Sequence, residues 1–442
     1  MLLVSKFGGS SLSSASQFVK VKDIVCGNPD RKIVVVSALG KRIPTDNKLT
    51  DLFYSVYEHI SQSSYYEGLW LEIVDRFKAV KEELKLEYDV LSELAKIQEG
   101  LAARILTADY LVSRGEYLTA KLMSEYLGYT FFDAKDLIIF NSDGEVNYEE
   151  TYYRIKTVLP NNEKIIIPGF YGATLHGDIK LFSRGGSDIT GALIAAGVQA
   201  DKYENFTDVS GVLMVDPRIV KNPIAISELT YEEMSSIAYM GAEVLHRKSV
   251  YPVKKLGIPI HIMNTNDPNK PGTLITSKRK TENSCLTGFF GKKNYTYLTL
   301  FKNRASFQVG FMRQVFEIFE GYGINIEQSL TGIDHVGILV SSIEIKYVLD
   351  EILDDLKNIL GIEDVRTKED FSLIAIFGRG VICNPGFISE TFAALGSVGI
   401  EPSLIEQSPC GLNLVIGVER NQFEPGIRAL YAKLVDDEER GF

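Results

Sequence analysis

The chain has 442 residues, which at roughly 150 residues per domain corresponds to about three domains. Its apolar share of 45% and charged share of 24% are ordinary for a globular protein and exclude a disordered or fibrous chain. The 47 basic and 58 acidic residues give a formal net charge of −11, which argues against general nucleic-acid binding but leaves room for a local basic pocket.

Short β-branched runs predict strands in the first 275 residues, at 2–4, 33–36, 165–167, 179–182 and 258–262. Apolar residues at helical spacing predict helices across 69–84 and across 101–112. Strands that are apolar on both faces, with helices between them, indicate a mostly parallel sheet covered on both sides. Residues 1–276 are therefore predicted to form one large α/β domain.

An internal repeat follows a polar stretch, SKRKTENS, and the segment 277–296 is predicted as a linker. An offset of 76 residues pairs Phe301 with Phe377 and Gly310 with Gly386, and it needs no gap. Each copy has the order strand, loop, helix, strand, turn, strand, which is typical of a small βαββαβ unit. Two copies are too few for a solenoid, so a paired module is predicted.

Cysteine and histidine are too dispersed to predict a disulfide framework or a metal site. The four cysteines include no CxxC pair, which favours free thiols.

No apolar run approaches the ~18 residues of a membrane helix. The N-terminus lacks the basic segment and cleavage pattern of a signal peptide. We therefore expect a cytoplasmic protein that binds neither nucleic acid nor membrane.

Two glycine-containing loops, each after a predicted strand, are candidate anion sites. In the first, Lys6 precedes Gly8, Gly9 and Ser10, and such glycines let backbone N–H groups approach a phosphate. The lysine comes before the glycines, so the loop is not a Walker A motif. A tight turn beside a surface lysine would explain the same pattern.

In the second loop, Arg184 precedes two glycines, and Ser187 and Asp188 begin a helix. An arginine fork can grip a carboxylate at two points. The alternative role of Ser187 and Asp188 is helix N-capping. Capping alone would not explain the arginine and the glycines, so a ligand loop is favoured.

Two further segments are ambiguous by themselves. Thr207 and Asp208 end a strand before a glycine, where a simple Asx-turn is an alternative. Glu116, in the segment SRGE, is equally consistent with a solvent-exposed charge on a helix.

Taken together and in this order, the segments resemble those of the aspartokinases, which have the amino-acid-kinase fold. The resemblance is carried by KFGGSS (6–11), SALGKR (37–42), KLTDL (48–52), SRGE (113–116), PGFYG (168–172), FSRGGSDITG (182–191), TDVSGV (207–212), DPR (216–218) and YMGAEVLH (239–246). The repeat resembles the tandem ACT modules of these enzymes, so the resemblance covers essentially the whole chain. It implies a parallel-rich α/β sheet sandwiched by helices, followed by two ferredoxin-like ACT modules at 297–370 and 371–442 that could be interleaved.

The resemblance implies ATP-dependent phosphorylation of the β-carboxylate of L-aspartate, giving 4-phospho-L-aspartate on the route to lysine, threonine and methionine. Such a reaction brings two anions together, so catalysis consists mainly of positioning and charge stabilisation. Mg²⁺ is also implied, held largely by phosphate oxygens and water. The lack of a dedicated metal motif agrees with this.

By resemblance, Lys6 and Asp188 are the catalytic residues, and Lys6 stabilises charge on the transferring phosphoryl group. Arg184 would grip the α-carboxylate of aspartate, while Glu116 and Asp188 meet or orient its ammonium. The residues implied for aspartate are Ser37, Thr50, Glu116, Phe170, Arg184 and Ser187. Those implied for the nucleotide are Gly8, Gly9, Ser10, Thr207, Asp208, Asp216 and Arg218.

One segment departs from the family pattern. Where the family commonly has GAKVLHP, this chain has GAEVLHR at 241–247. Glu243 reverses the charge of a lysine that is thought to approach the nucleotide. Either Arg247 or Lys248 supplies that cation or the nucleotide is held differently, and Glu243 is not assigned to the site.

The ACT resemblance implies feedback by an amino acid effector, most often lysine or threonine. The modules would also join copies of the chain into a homodimer or a dimer of dimers. The implied effector contacts are Gly310, Phe311, Glu327, Gln328, Ser329 and Thr331. For Glu327, a charge at a strand edge is a nearly equal alternative.

Two other functions compete with this interpretation. A kinase of the same fold could act on glutamate, N-acetylglutamate or carbamate, although the tandem ACT modules and the KLTD and SRGE segments argue against it. A non-catalytic amino acid sensor that kept the fold is the second alternative, motivated by the ACT pair and by Glu243.

Overall fold

A computed structural model describes residues 1–160, 163–183, 185–242, 244–279, 286–378, 385–408 and 411–436. The chain divides into two units, Met1–Leu213 with Ala225–Thr281, and Met214–Ile224 with Glu282–Phe442. The segment Met214–Ile224 thus belongs to the second unit, although the sequence analysis places it in the catalytic domain.

Hydrogen bonds explain why this segment belongs to the second unit rather than to the first. The backbone N–H of Phe289 donates to the carbonyl of Met214 at 2.6 Å. The Arg428 side chain donates to the carbonyl of Ile219 at 2.9 Å. The segment is therefore tied to residues that lie much later in the sequence.

The elements of the first unit alternate between strands and helices. Its strands are β1 (Leu3–Phe7), β2 (Arg31–Val36), β3 (Thr130–Phe131), β4 (Ile139–Phe140), β5 (Ile165–Pro168), β6 (Tyr171–Thr174), β7 (Ile179–Leu181), β8 (Lys202–Thr207), β9 (Glu228–Thr230), β10 (Ile260–Asn264) and β11 (Thr273–Thr276). Its helices are α1 (Ala15–Cys26), α2 (Leu49–Ser61), α3 (Glu67–Leu84), α4 (Val90–Ala102), α5 (Ala108–Leu127), α6 (Tyr148–Val158), α7 (Gly186–Gly197), α8 (Tyr231–Tyr239) and α9 (Arg247–Leu256).

An eight-stranded sheet, in the order β3-β5-β2-β1-β8-β10-β11-β9, organises this unit, and β4, β6 and β7 form a smaller sheet. The central strand β1 is parallel to both β2 and β8, so that Lys6 lies between Val35 and Asn205. All five residues of β1 are buried. The predicted mostly parallel α/β sheet, apolar on both faces, is confirmed.

The two predicted helical faces have different outcomes. The face from 69 to 84 belongs to α3, which buries Ile73, Phe77 and Val80. The prediction of one continuous helix across 101–112 is wrong, because α4 ends at Ala102 and α5 begins at Ala108. Thr107 caps the new helix by accepting from the Tyr110 N–H at 3.2 Å. Ile105 lies between the helices and is 75% exposed.

The second unit contains the repeat. Its strands are β12 (Gly288–Phe301), β13 (Ile326–Thr331), β14 (His335–Ser341), β15 (Asp364–Phe377), β16 (Leu404–Gln407) and β17 (Asn413–Glu419). Its helices are α10 (Phe311–Gly321), α11 (Ser342–Ile345), α12 (Leu349–Leu360), α13 (Pro385–Ser397) and α14 (Phe423–Tyr431).

The two copies share one six-stranded sheet, in the order β13-β14-β12-β15-β17-β16. The second half of β12 pairs with β14 of the first copy, and its first half, from Gly288 to Lys292, pairs with Phe377–Leu373 of the second copy. The modules are therefore interleaved. The predicted linker extends too far, because β12 begins at Gly288 and residues 288–296 already form part of the shared sheet.

In the described part of the chain, no helix combines the length and the apolar character that crossing a bilayer requires.

Candidate active site

The carboxyl ends of four neighbouring parallel strands, β1, β2, β5 and β8, lie at one edge of the large sheet. This is the edge at which α/β sheets bind ligands. Hydrogen bonds continue past the strand ends, since the Gly8 N–H donates to the Phe206 carbonyl at 3.0 Å and the Ser37 N–H donates to the Phe7 carbonyl at 3.1 Å. The loops that carry many of the predicted residues therefore meet here.

Lys6 is buried, with only 7% of its surface exposed. Its Nζ lies 2.6 Å from Asp188 Oδ1 and 3.4 Å from Asn205 Oδ1. Asn205 Nδ2 also donates to Asp188 Oδ1 at 2.9 Å. A buried ammonium is costly unless it is paired and hydrogen-bonded, and this triad provides both. The alternative of a surface lysine is therefore wrong.

Gly8 keeps the space beside this ammonium open. A Cβ at Gly8 would lie 3.3 Å from Lys6 Nζ. The following residues Gly9–Leu12 form a short 3₁₀ turn. A Cβ on Gly40, in the loop after β2, would collide with the carbonyl of Gly9. The two loops thus approach each other by their backbones, which only glycine permits.

These loops and the start of α2 line a cavity of about 570 Å³. Six of the predicted residues lie around it: Gly9, Ser10, Ser37, Thr50, Glu116 and Asp208. They come from separate parts of the chain, and the strand order brings them together. Thr207 lies at the end of β8, and its hydroxyl donates to Asp208 Oδ1 at 3.1 Å.

Glu116 lies on α5 and is only 3% exposed, so the alternative of a solvent-exposed helix charge is wrong. Burial raises the pKa of its carboxyl to about 8, although the Ala38 N–H donates to it. Its Oε2 atom is buried and has no hydrogen-bond partner among the described residues. A buried carboxylate oxygen that lines a cavity and lacks a donor is suited to a cationic ligand group.

The start of α7 packs against the turn between β5 and β6. The N-cap of α7 is Gly185, in the left-handed region at φ 62°, so Ser187 and Asp188 are not caps. Phe170 also has a positive φ of 75°, and its N–H donates to Thr190 Oγ1 at 3.1 Å. A Cβ on Gly169 would lie 2.6 Å from Ser187 Oγ. Phe170 and Ser187 are thereby brought side by side.

Three assigned residues, Arg184, Asp216 and Arg218, are not among those that the described part of the first unit brings together. Arg184 lies outside the described residues, as does Glu243. Asp216 and Arg218 belong to the second unit, where the Arg218 guanidinium lies 2.7 Å from the Asp216 carboxylate and lowers the pKa of that carboxyl. Their assignment to the nucleotide stays a prediction.

Sequence reasoning did not assign Asn205 and His246 to the site. Asn205 lies directly opposite Lys6 in the parallel register. The backbone N–H of His246 approaches Asp188 Oδ2 at 3.4 Å, and burial lowers the pKa of its imidazole. His246 lies in the segment YMGAEVLH that carries the family resemblance, whereas Asn205 lies just before TDVSGV. Neither contact follows from local sequence, because each depends on residues that are distant along the chain.

The second unit contains a separate cavity of about 540 Å³ beside β13. Glu327, Gln328 and Ser329 line it, together with Glu320 on α10. Glu327 lies 3.7 Å from Lys292, and Gln328 Oε1 is buried without a partner among the described residues. The remaining predicted effector contacts are the α10 N-cap Gly310, the buried Phe311 and Thr331 at the end of β13.

Among the described residues, no group of three or more His, Cys, Asp or Glu side chains is placed to hold a metal ion.

Both parts of the chain match known protein families. The amino acid kinase family matches residues 1–264, and the ACT domain matches residues 374–434. Aspartokinase 3 of Bacillus subtilis (strain 168) is 33% identical over 442 residues, covering 97% of each protein.

Solved structures of aspartate kinases are also similar to this chain. The crystal structure of Clostridium acetobutylicum aspartate kinase matches with a TM-score of 0.91 and 38% identity, over 98% of this chain and 100% of that one. Aspartokinase III of E. coli, in complex with aspartate and ADP, matches with a TM-score of 0.82 and 25% identity, over 98% and 100% of the two chains. The same enzyme in complex with lysine and aspartate gives a TM-score of 0.76 at 26% identity, over 98% and 99%.

Proposed function

Since the chain belongs to the aspartokinases, within the amino acid kinase family, we propose that the cavity of the first unit is its aspartate site and that the neighbouring Lys6–Asp188 pair acts on the phosphoryl group. The protein is an aspartate kinase, which phosphorylates L-aspartate on its β-carboxylate with ATP as co-substrate and forms 4-phospho-L-aspartate. An amino acid effector regulates it through the ACT modules.

Lys6 stabilises the negative charge of the transferring phosphoryl group. Its ammonium is already desolvated and oriented by Asp188 and Asn205, so little reorganisation accompanies the reaction. Preorganised charge in a water-poor site is usually the largest contribution to this kind of catalysis. The backbone N–H groups after Gly8 extend the same positive surface along the phosphates.

Aspartate lies in the cavity with its ammonium at Glu116. The unpartnered Oε2 of Glu116 accepts from that ammonium, which replaces a missing hydrogen bond. Ser37, just after β2, and Thr50, in the first turn of α2, supply hydroxyls. Phe170 and Ser187 bound the pocket beside α7. Arg184 grips the α-carboxylate, in keeping with the two-point geometry of a guanidinium.

The nucleotide phosphates follow Gly8, Gly9 and Ser10, and Thr207 and Asp208 face the nucleotide from β8. Asp216 and Arg218 are assigned to it by the resemblance alone. Mg²⁺, when bound, neutralises part of the phosphate charge. Asp208 would offer one carboxylate to the ion, and phosphate oxygens and water would supply the other ligands.

The effector is lysine, bound in the cavity beside β13. Two acidic side chains line this cavity, Glu320 and Glu327, and they favour a ligand that carries an additional positive charge. Gln328 and Ser329 provide polar contacts. Gly310, Phe311 and Thr331 are assigned to the effector by the resemblance alone. Threonine offers no second cation and should bind less well.

The ACT modules join copies of the chain into a homodimer. Around the first module, Phe307, Val309 and Ile333 are 76%, 100% and 66% exposed, which is unusual for apolar side chains of an isolated soluble surface. Sedimentation velocity tests this assignment. A sedimenting species of one chain at micromolar concentration would contradict it.

The observation that carries the proposal is the buried Glu116 carboxylate with an unpartnered oxygen in a cavity that also contains Gly9 and Ser10. A hydroxamate assay with aspartate, glutamate and acetate as acceptors tests it directly, with ADP release followed in parallel. We expect product with aspartate in clear preference to the other acceptors. Preference for glutamate, or no ADP release with aspartate, would overturn the proposal.

A further inference from the structure

The segment between β2 and α2 forms a large part of the cavity wall. Residues 38–44 line the cavity, and so do residues 48–50 at the start of α2. This segment has no regular strand or helix of its own between Val36 and Leu49. Its shape therefore depends on individual contacts rather than on a regular hydrogen-bond ladder.

Asp46 closes the segment on itself. Its carboxylate accepts from the backbone N–H and from Nε of Arg42, both at 2.9 Å. The Asp46 N–H donates to the Ile43 carbonyl at 3.1 Å. The Asp46 side chain is 9% exposed, whereas Arg42 is 46% exposed. Asp46 thus sits on the inner side of the turn that it closes.

Arg76, on α3, meets this carboxylate from the interior of the unit. Its Nη2 lies 3.7 Å from Asp46 Oδ2 and 2.6 Å from Glu72 Oε1, and its side chain is only 2% exposed. Nε and Nη1 of Arg76 are buried without a hydrogen-bond partner among the described residues. A buried guanidinium with so few partners depends strongly on its two carboxylates.

The carboxylates of Glu72 and Asp46 lie on different elements of the fold. Glu72 lies on the same helix as Arg76, so their ion pair stays within α3. Asp46 lies on the cavity segment, so its ion pair with Arg76 joins that segment to α3. The Arg42 side chain lowers the pKa of the Asp46 carboxyl to about 2, which keeps this link charged at every pH at which the enzyme would be assayed.

We propose that Arg76 and Asp46 are positioning residues that hold the segment 38–48 in place as the wall of the aspartate cavity. The proposal rests on the assignment of that cavity to aspartate. Neither residue touches the reacting groups. Displacement of a substrate-binding wall by about 1 Å is enough to change kinetics by up to roughly a hundredfold.

The test compares Asp46→Asn with Glu72→Gln. Both variants remove one carboxylate from Arg76, but only Asp46→Asn releases the cavity segment. We expect Asp46→Asn to raise KM for aspartate by about tenfold or more, with a smaller change in KM for ATP. Glu72→Gln should keep both KM values within about twofold of the unmodified protein, since its pair with Arg76 lies within α3 and does not reach the cavity segment. Its effect should appear in the free energy of unfolding instead.

Limited trypsin digestion gives a readout that does not depend on activity. Lys41 and Arg42 are cleavage sites within the segment. Cleavage there should be about tenfold faster in Asp46→Asn than in Glu72→Gln, because local opening governs proteolysis of a native protein. Asp46→Glu, which keeps the charge on a longer side chain, should restore slow cleavage and part of the affinity for aspartate.

Equal KM shifts in Asp46→Asn and Glu72→Gln would overturn the proposal, because the effect would then be general destabilisation. An Asp46→Asn variant with unchanged KM for aspartate would also overturn it, whatever its rate of cleavage. If Asp46→Asn does not fold, Asp46→Glu is compared with Glu72→Gln instead: because the longer side chain restores only part of the affinity, it should still raise KM for aspartate more than Glu72→Gln does, and equal KM values would overturn the proposal. An unmodified protein that is inactive with aspartate would instead contradict the proposed function.

Discussion

The ammonium of Lys6 lies 2.6 Å from a carboxylate oxygen of Asp188, and both side chains are largely buried. One residue comes from the central strand β1 and the other from the first turn of α7. The amide of Asn205 contacts both groups. A cation is thereby fixed at the edge of the sheet, where the loops of the cavity meet.

Asp188→Asn should lower kcat by on the order of a hundredfold, because Lys6 would lose the charge that orients it. The free energy of unfolding should also fall, since a buried ammonium would be left without its counter-ion. Steady-state ADP release measures kcat. Asp267→Asn, at an exposed pair with Lys270, is the matched control and should change little. Equal kcat values for the two variants would contradict the role of Asp188.

The affinity for aspartate should depend on pH through Glu116. Its pKa of about 8 means that the carboxyl is mostly protonated at neutral pH in the ligand-free protein. The ionised form is the one that attracts an ammonium, so KM for aspartate should fall as the pH rises from about 6.5 to 8.5. The slope approaches about tenfold per pH unit below the pKa.

Glu116→Gln is the control for this pH effect. It should raise KM for aspartate and flatten the pH profile, because the glutamine amide does not titrate. Initial rates at several aspartate concentrations across the pH range measure both quantities. A Glu116→Gln profile with the same slope as the unmodified protein would assign the titration to another group.

Glu204 should contribute strongly to stability beneath the site. Its carboxylate accepts from Arg31 Nε and Nη2 at 2.7 and 3.2 Å and from Ser5 Oγ at 2.9 Å. Glu204→Gln should lower the free energy of unfolding by about 3–5 kcal/mol, because it breaks a buried ion pair. Urea denaturation measures this loss in the free energy of unfolding. Glu145→Gln removes an exposed pair with Lys248 and should cost about 0–1 kcal/mol.

Glu327→Gln should weaken inhibition by lysine. Half-inhibition should require about tenfold more lysine, corresponding to about 1.4 kcal/mol of binding energy, while kcat without effector stays the same. Glu317→Gln on α10, which removes an exposed pair with Arg313, serves as the control. Unchanged lysine inhibition in Glu327→Gln would place the effector elsewhere.

Sequence patterns predicted most of the fold because the strands are apolar and the repeat needs no gap. They failed where one residue interrupts a pattern, as when Thr107 caps a new helix inside an apparent helical face. The polar contacts of the site were harder to predict from the sequence than the fold. Lys6, Asp188 and Asn205 form one triad only because β1 and β8 are parallel neighbours, and the burial of Glu116 depends on the loop after β2. Neither fact is encoded in local spacing.

The turnover of Lys6→Met with ATP and aspartate tests whether the Lys6 ammonium is needed for phosphoryl transfer. We expect kcat to fall by at least about a thousandfold, while the circular dichroism spectrum and KM for aspartate stay close to those of the unmodified protein. Turnover within about tenfold of the unmodified protein would show that the buried ammonium is not needed for phosphoryl transfer.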